Sequence, residues 1–249
     1  MSFDYTHYNE LTYLQSDGNS YIKTGFYPVY GVYDMKVLFP SLVDTSLYYY
    51  MGSANPQGTG YSNCPLAMSQ SSKYLGFRYG STIRWSSLVA VANTEYSIRV
   101  QAISGSETME VNNSTVLSRT DSFNLVEYNF FIFGYFYQGV DTASHPMRLY
   151  HLRIYDTNNV LIHEFIPAQR KNDSVLGLYD TVADVFYTNA GTGNFVGGQI
   201  VPPPQDTGSI KTKINGEWLD STPYIKVNGE WIEAEPYIKV NGEWLKAIK

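Results

Sequence analysis

Apolar residues recur at every second position along much of the chain, which is the spacing of a β-strand with one buried face. Two segments show this alternation most clearly, and their apolar positions are Tyr33, Met35, Val37 and Phe39 in one and Tyr96, Ile98, Val100 and Ala102 in the other. Residues 128–133 are almost continuously apolar, which predicts a central strand covered on both faces, and residues 147–155 predict a further strand. No run of ten or more residues has the spacing of a helix.

Turn-forming sequences separate the predicted strands. They are Asp17-Gly18-Asn19, Asn55-Pro56-Gln57-Gly58, Ser104-Gly105-Ser106, Asn112-Asn113-Ser114, Asp156-Thr157-Asn158-Asn159 and Asn189-Ala190-Gly191-Thr192-Gly193. Glycine and asparagine tolerate positive φ angles, and aspartate and serine side chains accept hydrogen bonds from the turn backbone. Many short strands joined by turns, without crossover helices, predict an all-β fold, an antiparallel β-sandwich of the jelly-roll type.

The composition of the chain changes near its C-terminal end. Three consecutive prolines, at 202–204, favour an extended spacer. Beyond them, Asn-Gly pairs recur every 13 residues, at Asn215, Asn228 and Asn241. Asn-Gly between alternating apolar flanks is a strong signal for a two-residue type I′ hairpin, so three successive β-hairpins are predicted. The sequence therefore divides into a jelly-roll domain at 1–198, a linker at 199–209 and hairpin repeats at 210–249.

Each predicted hairpin carries aromatic side chains that the hairpin alone cannot bury. In the second hairpin, a two-residue loop pairs Lys226 with Trp231. The same register pairs Tyr224 with Glu233. Because an isolated hairpin has no surface to cover these rings, the hairpins stack on each other or on the jelly roll, or they contact other protein subunits. The candidate interface residues are Trp218, Tyr224, Trp231, Tyr237 and Trp244.

The overall composition excludes several classes of protein. Of 249 residues, 43% are hydrophobic and 16% aromatic, which is enough apolar surface for a core and unlike a disordered chain. The net charge of −6 and the scattered basic residues argue against nucleic acid as a partner. Cys64 is the only cysteine, so neither an internal disulfide nor a cysteine-based zinc site holds the fold together. The chain has no signal-like start and no apolar run long enough to cross a bilayer, so we expect a cytosolically made protein without a membrane partner.

Candidate metal ligands lack a consistent pattern. The histidines, which do not have the spacing of metal ligands, are His7, His145, His151 and His163. Oxygen atoms at 156–159 and 172–173 are candidate calcium ligands, but turn formation accounts for them better. We therefore predict no metal site and no cofactor.

Paired carboxylates, which glycoside hydrolysis requires, are also poorly placed. The close acidic residues Glu230, Glu233 and Glu235 lie at the end of a hairpin strand and are interpreted as solvated charges. Glu107 and Glu110 are an odd number of residues apart, so a regular strand points them to opposite faces. We predict no catalytic residue.

Tyrosine is abundant, with 23 in the chain, and clusters near predicted loops. Large amphipathic rings in such places stack on sugars or fill protein interfaces, and they also form the core and rim of an ordinary sandwich. The candidates for contact with a glycan or a protein partner are Tyr48, Tyr49, Tyr50, Tyr61, Tyr135 and Tyr137.

Several stretches resemble a known family. Residues 11–28 are similar to the opening of LamG-like, concanavalin A-like jelly rolls, which are common in structural proteins of tailed phages and occur in some bacterial surface proteins. Residues 152–156, 165–171 and 175–193 resemble the closing half of that domain, so the resemblance brackets 8–198. The repeated Tyr-Ile-Lys-Val-Asn-Gly-Glu-Trp motif is similar to C-terminal segments of phage tail-associated proteins.

The resemblance implies a non-enzymatic structural protein of a tailed bacteriophage virion. In that role, the jelly roll is displayed for adsorption to a host cell-surface glycan or for particle decoration. The hairpins then assemble the protein with other virion subunits or into a homo-oligomer. A bacterial lectin-like adhesin or glycan-binding module is the alternative, and a glycosidase is a third interpretation, because this fold carries unrelated activities.

Overall fold

The computed structural model of the protein describes residues 3–42, 48–54, 62–137, 140–204, 211–214, 217–220, 222–234, 237–240 and 243–246. The chain forms two compact units, Met1–Val201 and Pro202–Lys249. Within the described residues, the repeating structure consists of β-strands, and there is no helix.

The strands of the N-terminal unit are short. In chain order they are β1 (Tyr8–Glu10), β2 (Leu14–Ser16), β3 (Ile22–Lys23), β4 (Gly31–Leu38), β5 (Tyr48–Ala54), β6 (Ser62–Met68), β7 (Tyr74–Gly80), β8 (Thr82–Val89), β9 (Glu95–Ile103), β10 (Ser106–Val111), β11 (Ser114–Arg119), β12 (Phe131–Ile132), β13 (Gly134–Tyr137), β14 (Val140–Ala143), β15 (Arg148–Tyr155), β16 (Leu161–Arg170), β17 (Leu176–Asp180), β18 (Val185–Thr188) and β19 (Phe195–Gly197).

Two antiparallel sheets make up the sandwich. The larger sheet has the order β11-β10-β9-β4-β15-β16-β17-β18, with β1 paired to β16 and β2 paired to β15 and β19. The smaller sheet has the order β3-β12-β5-β6-β7-β8, and β13 and β14 form a separate hairpin. The predicted fold, an all-β antiparallel jelly roll followed by β-hairpins, is confirmed.

A hydrophobic core fills the space between the two sheets. Strands β4 and β9 turn their alternating apolar residues inward, and Tyr33, Met35 and Ile98 are fully buried. Leu66 and Phe77 of the smaller sheet belong to the same cluster. Because burying each large apolar side chain stabilises the fold by about 1.5–3 kcal/mol, the alternation read from the sequence also identifies which face of each strand carries the stability.

The prediction of a central strand over 128–133 was right about burial and wrong about length. Phe130, Phe131, Ile132 and Phe133 are each 0% exposed, but only Phe131–Ile132 form a strand, between β3 and β5. Phe133 has a φ of 64°, which interrupts the extended backbone. A continuous apolar run thus predicts that the segment is buried, but it does not predict the length of the strand.

The pairing of the N-terminal unit continues past the predicted boundary at residue 198. The Thr12 backbone N–H donates to the Gln199 carbonyl at 2.9 Å, and the Val201 N–H donates to the Glu10 carbonyl at 2.8 Å. Residues 199–201, placed in the linker by the sequence, therefore lie against the start of the jelly roll.

The C-terminal unit consists of three two-stranded hairpins among its described residues. Their strands are β20 (Lys211–Ile214) with β21 (Glu217–Asp220), β22 (Tyr224–Val227) with β23 (Glu230–Glu233), and β24 (Tyr237–Val240) with β25 (Glu243–Lys246). Lys226 pairs with Trp231, and its Nζ lies 5.8 Å from the centre of the Trp231 ring. Asn228 and Gly229 both have positive φ, 51° and 91°, as a type I′ turn requires. The predicted register of this hairpin is confirmed.

Candidate functional site

The outer side of the smaller sheet carries a separate aromatic cluster. Its buried members are Tyr49, Cys64 and Ala67, and the side chains packed around them are Ile83, Trp85 and Tyr135. We call this surface the Trp85 face. It forms because alternate residues of β5 to β8 point away from the core, and these alternate positions hold rings and small residues.

Register places Trp85 beside a glycine on the neighbouring strand. Ala67 of β6 pairs with Gly76 of β7, and Gly76 pairs with Trp85 of β8. A Cβ atom on Gly76 would lie 2.6 Å from Cε3 of Trp85 and 2.1 Å from the Arg84 carbonyl oxygen, both too close for any side chain. The Trp85 indole therefore lies against the backbone of β7, while Trp85 as a whole remains partly exposed.

The opposite end of the Trp85 face holds a pair of tyrosines. The rings of Tyr49 and Tyr135 are 4.8 Å apart between centroids at an interplanar angle of 61°, which is an edge-to-face contact. Burial raises the pKa of Tyr49 to about 12, so its hydroxyl keeps its proton. Arg78 Nη1 donates to that hydroxyl at 2.8 Å, and Arg78 Nη2 donates to the Ser81 carbonyl at 3.1 Å. The guanidinium is therefore held in one orientation beside the rings.

Strands β3 and β12 extend this surface with further aromatic and charged groups. Lys23 Nζ lies 3.1 Å from a carboxylate oxygen of Asp141 and 5.6 Å from the centre of the Phe131 ring. Tyr21 packs on Phe131 with 5.7 Å between ring centroids. The outer side of the sheet thus combines flat rings with oriented hydrogen-bond donors and acceptors.

Cys64 lies under the Trp85 face but is not a reactive group. Burial raises the pKa of its thiol to about 12, and Sγ lies 3.9 Å from the Ser53 carbonyl oxygen. A thiol that stays protonated is neither a nucleophile nor a metal ligand. Cys64 packs beneath the Trp85 face on β6, between β5 and β7.

The predicted contact tyrosines have three different outcomes. Tyr49 and Tyr135 are brought together on the Trp85 face, where Tyr135 is partly buried and Tyr49, 5% exposed, lies beneath the surface and supports it. Tyr50 is 1% exposed in the core, so its prediction as a contact residue was wrong. Neighbouring residues on a strand face opposite sides, and the pairing of β5 sends Tyr50 inward. The predicted side chains that lie outside the described residues are those of Tyr48, Tyr61 and Tyr137.

The predicted interface residues of the hairpins are exposed where the structure describes them. Trp231 is 68% exposed, Tyr224 is 54% exposed and Tyr237 is 51% exposed. The side chains of Trp218 and Trp244 lie outside the described residues.

Trp85 and Arg78 are site residues that sequence reasoning missed. Three of the four tryptophans lie in the repeats, and Trp85 is the single tryptophan of the first 201 residues. The signal for it was a tryptophan in a strand-like run with a glycine in the run before it. That signal becomes specific only when the register between β7 and β8 is known.

His163 and Asp180 form a partly buried pair at the edge of the core. His163 Nδ1 lies 2.6 Å from Asp180 Oδ2, and the imidazole stacks on Phe26 with 4.1 Å between ring centroids. Although burial favours the neutral acid, the hydrogen bonds from His163 and from the Glu164 backbone N–H lower the pKa of Asp180 below its usual value of 3.8. This pair is a structural contact between β16 and β17.

In the turns at 156–159 and 172–173, the candidate calcium ligands accept hydrogen bonds from nearby protein groups. Asp156 Oδ1 accepts the backbone N–H groups of Asn158 and Val160, each at 2.8 Å. Asp173 accepts from the Arg170 guanidinium and from the Val175 N–H. Within the described ranges, no three His, Cys, Asp or Glu side chains are grouped so as to hold a metal ion. The same ranges hold no helix with the length and apolar character of a membrane span.

No protein-family model matches the chain, and no curated protein matches it in sequence. Among solved structures, the chain is similar to a protein from Bacteroides ovatus provisionally described as carbohydrate-binding, with a TM-score of 0.52 and 13% identity over 76% of this chain and 61% of that one. A second similar structure is the κ-carrageenase of Pseudoalteromonas carrageenovora in complex with a κ-carrageenan oligosaccharide, with a TM-score of 0.26 and 10% identity over 60% of this chain and 65% of the other. The chain spans less than two thirds of the length of either protein. At this level of identity, the Bacteroides structure shows a shared jelly-roll fold.

Proposed function

We propose that the N-terminal unit binds carbohydrate through the Trp85 face. The observation that carries the proposal is the Trp85 indole lying against Gly76, on the same sheet face as the Tyr49–Tyr135 pair and the oriented Arg78. The similarity of the fold to a protein described as carbohydrate-binding agrees with this proposal.

The chemistry of a sugar ring explains why this surface suits it. A pyranose has an apolar face of C–H groups and a rim of hydroxyls. A half-buried indole offers a flat apolar surface to the first, and fixed polar groups beside it offer hydrogen bonds to the second. Because Trp85 is positioned before a ligand arrives, little side-chain entropy is lost on binding.

The proposal is tested by measuring retention of the full-length protein in gels that contain plant, algal or bacterial-wall polysaccharides, followed by calorimetric titration with the retained glycan. Trp85→Ala should weaken binding by at least about tenfold, which corresponds to about 1.4 kcal/mol. Trp231→Ala is the matched control, because it removes a tryptophan from the other unit and should leave the affinity unchanged. Equal affinity of wild type and Trp85→Ala, or no retention by any polysaccharide, contradicts the proposal.

We also propose that the hairpin repeats assemble the protein into a larger structure, such as a tailed-phage virion. The exposure of Tyr224, Trp231 and Tyr237 supports this role, because exposed aromatic groups are typical anchors of protein interfaces. Light scattering compares the full chain with a chain that lacks residues 208–249. The full chain should be oligomeric, or should join particles reconstituted with other virion subunits, and the shortened chain should do neither. Identical assembly of the two contradicts the proposal.

A further inference from the structure

Four polar side chains project into the interior of the sandwich near one end of the core. Ser53, Asn63 and Tyr79 occupy one cross-strand row of the smaller sheet, because Ser53 pairs with Asn63 and Asn63 pairs with Tyr79. Glu107 projects inward from β10 of the larger sheet, on the same face as the buried Met109. Each of the four is more than nine-tenths buried. We call this group the inner polar pocket.

Hydrogen bonds between described residues do not satisfy all the polar atoms of the inner polar pocket. Asn63 Oδ1 accepts the backbone N–H of Val126, which fixes the side-chain amide so that Nδ2 points away from that contact. The atoms Ser53 Oγ, Asn63 Nδ2, Tyr79 Oη and Glu107 Oε1 are buried and have no hydrogen-bond partner among the described residues. Native interiors contain few such atoms, and those they contain are usually satisfied by bound water.

Glu107 lies at the start of the segment that covers the cross-strand row, because its carboxylate accepts the backbone N–H of Asp121. The pKa of Tyr79 is raised well above its ordinary value by burial first, and then by Tyr33, Cys64 and Glu107. Tyr79 also packs on Phe123 with 4.8 Å between ring centroids. The segment that contains Phe123 and Val126 therefore covers the pocket between the two sheets.

We propose that the inner polar pocket is a binding site for a small cluster of ordered water molecules that joins the two sheets. The donors and acceptors are balanced, with an amide NH₂ group, two hydroxyls and one carboxyl oxygen, and a water molecule bonds equally well to each. A divalent cation fits less well, because it requires several oxygen ligands and the Asn63 amide directs its donor hydrogens inward.

The water site makes a sharp prediction for the sign of a stability change. If Tyr79 Oη and Ser53 Oγ are hydrogen-bonded to bound water, then Tyr79→Phe and Ser53→Ala remove real bonds, and each should lower the midpoint of thermal unfolding by about 2–4 °C. If the two hydroxyls are dry and unsatisfied, removing them relieves a desolvation cost and raises the midpoint. Tyr27→Phe is the matched control, because Tyr27 is 55% exposed and its hydroxyl already faces solvent.

A second measurement does not depend on any variant. In the full-length protein with labelled asparagine, NMR cross-peaks should connect the Asn63 side-chain amide protons with water protons of long residence time. Lowered midpoints for both variants together with these cross-peaks support the site. A raised or unchanged midpoint in Tyr79→Phe, or an Asn63 amide without contact to water, overturns it.

Discussion

Burial of Glu107 makes the stability of the fold depend on pH, and Glu107→Gln is the substitution that tests this. Burial, followed by the nearby charge of Asp121, raises the pKa of Glu107 from 4.5 to about 7, while Arg84 and Arg119 oppose the change. Asp121 is itself paired to Arg84 at 2.7 Å at the protein surface. Glutamine retains the shape of the side chain and an oxygen that accepts the Asp121 N–H, but it has no charge to bury.

The direction of the effect follows from comparing the folded and unfolded chains. Below the unfolded pKa of 4.5, Glu107 is neutral in both states and contributes no pH dependence. As the pH rises from there to about 7, the unfolded chain ionises first, so stability is progressively lost, and above about 7 the loss is constant. The full pKa difference corresponds to at most about 3 kcal/mol. Screening by solvent around the partly exposed Arg84–Asp121 pair reduces the expected loss to about 2 kcal/mol.

Urea unfolding at pH 5 and pH 8 measures this difference directly. Wild type should lose about 2 kcal/mol more stability than Glu107→Gln between the two pH values. Glu110→Gln is the matched control, because Glu110 lies on the opposite face of the same strand and its substitution should leave the wild-type pH dependence intact. If Glu107→Gln loses as much stability as wild type, ionisation of the buried Glu107 carboxyl is not the cause of the pH dependence.

Three further substitutions test the contacts that position the site and the turns. Gly76→Ala would place a Cβ against both the Arg84 carbonyl oxygen and the Trp85 indole, so it should push β8 away from β7. It should lower the midpoint of thermal unfolding and weaken glycan binding as much as Trp85→Ala does; wild-type stability and affinity would show that this close contact is not needed. Asp180→Ala removes the acceptor of His163 and of three backbone N–H groups, so it should lower the free energy of unfolding in urea by about 2–3 kcal/mol at pH 7. The difference in stability from wild type should shrink as the pH falls below 3.8, because wild-type Asp180 then becomes protonated. A difference that does not change with pH would contradict this role. Asp17→Ala removes the acceptor of the backbone N–H groups of Asn19 and Ser20 in one loop and of Asn194 in another. It should lower the free energy of unfolding by about 1–3 kcal/mol, and a change smaller than about 0.5 kcal/mol would contradict that role.

The features that could be predicted from the sequence are those set by neighbouring residues. The alternation at Tyr33 and Met35 depends only on the two-residue period of a strand, and both residues are buried as expected. The turn at Asn228 and Gly229 depends only on which residues tolerate positive φ, and its hairpin has the predicted register. Local geometry therefore determined the fold class and the hairpins before any tertiary contact was known.

The features that could not be predicted depend on which strands lie side by side. Glu107 was correctly placed on the face opposite Glu110, but the sequence did not show that this face points into the core. Tyr49 and Tyr50 are adjacent in sequence and equally amphipathic, yet only Tyr50 belongs to the core between the sheets. A tyrosine-rich run identifies the strand, whereas the pairing of that strand decides on which side of the sheet each ring packs.

The two units expose tryptophan in different ways, and this difference separates the two proposed functions. Trp85 is half-buried against the backbone at Gly76, so it is already ordered and can recognise a small ligand at low entropic cost. Trp231 is 68% exposed and is braced mainly by the paired Lys226, so ordering it requires a larger contact area, of the size that a protein partner provides. A glycan should therefore protect Trp85 from fluorescence quenching by acrylamide and leave Trp231 accessible, whereas assembly through the repeats should protect Trp231.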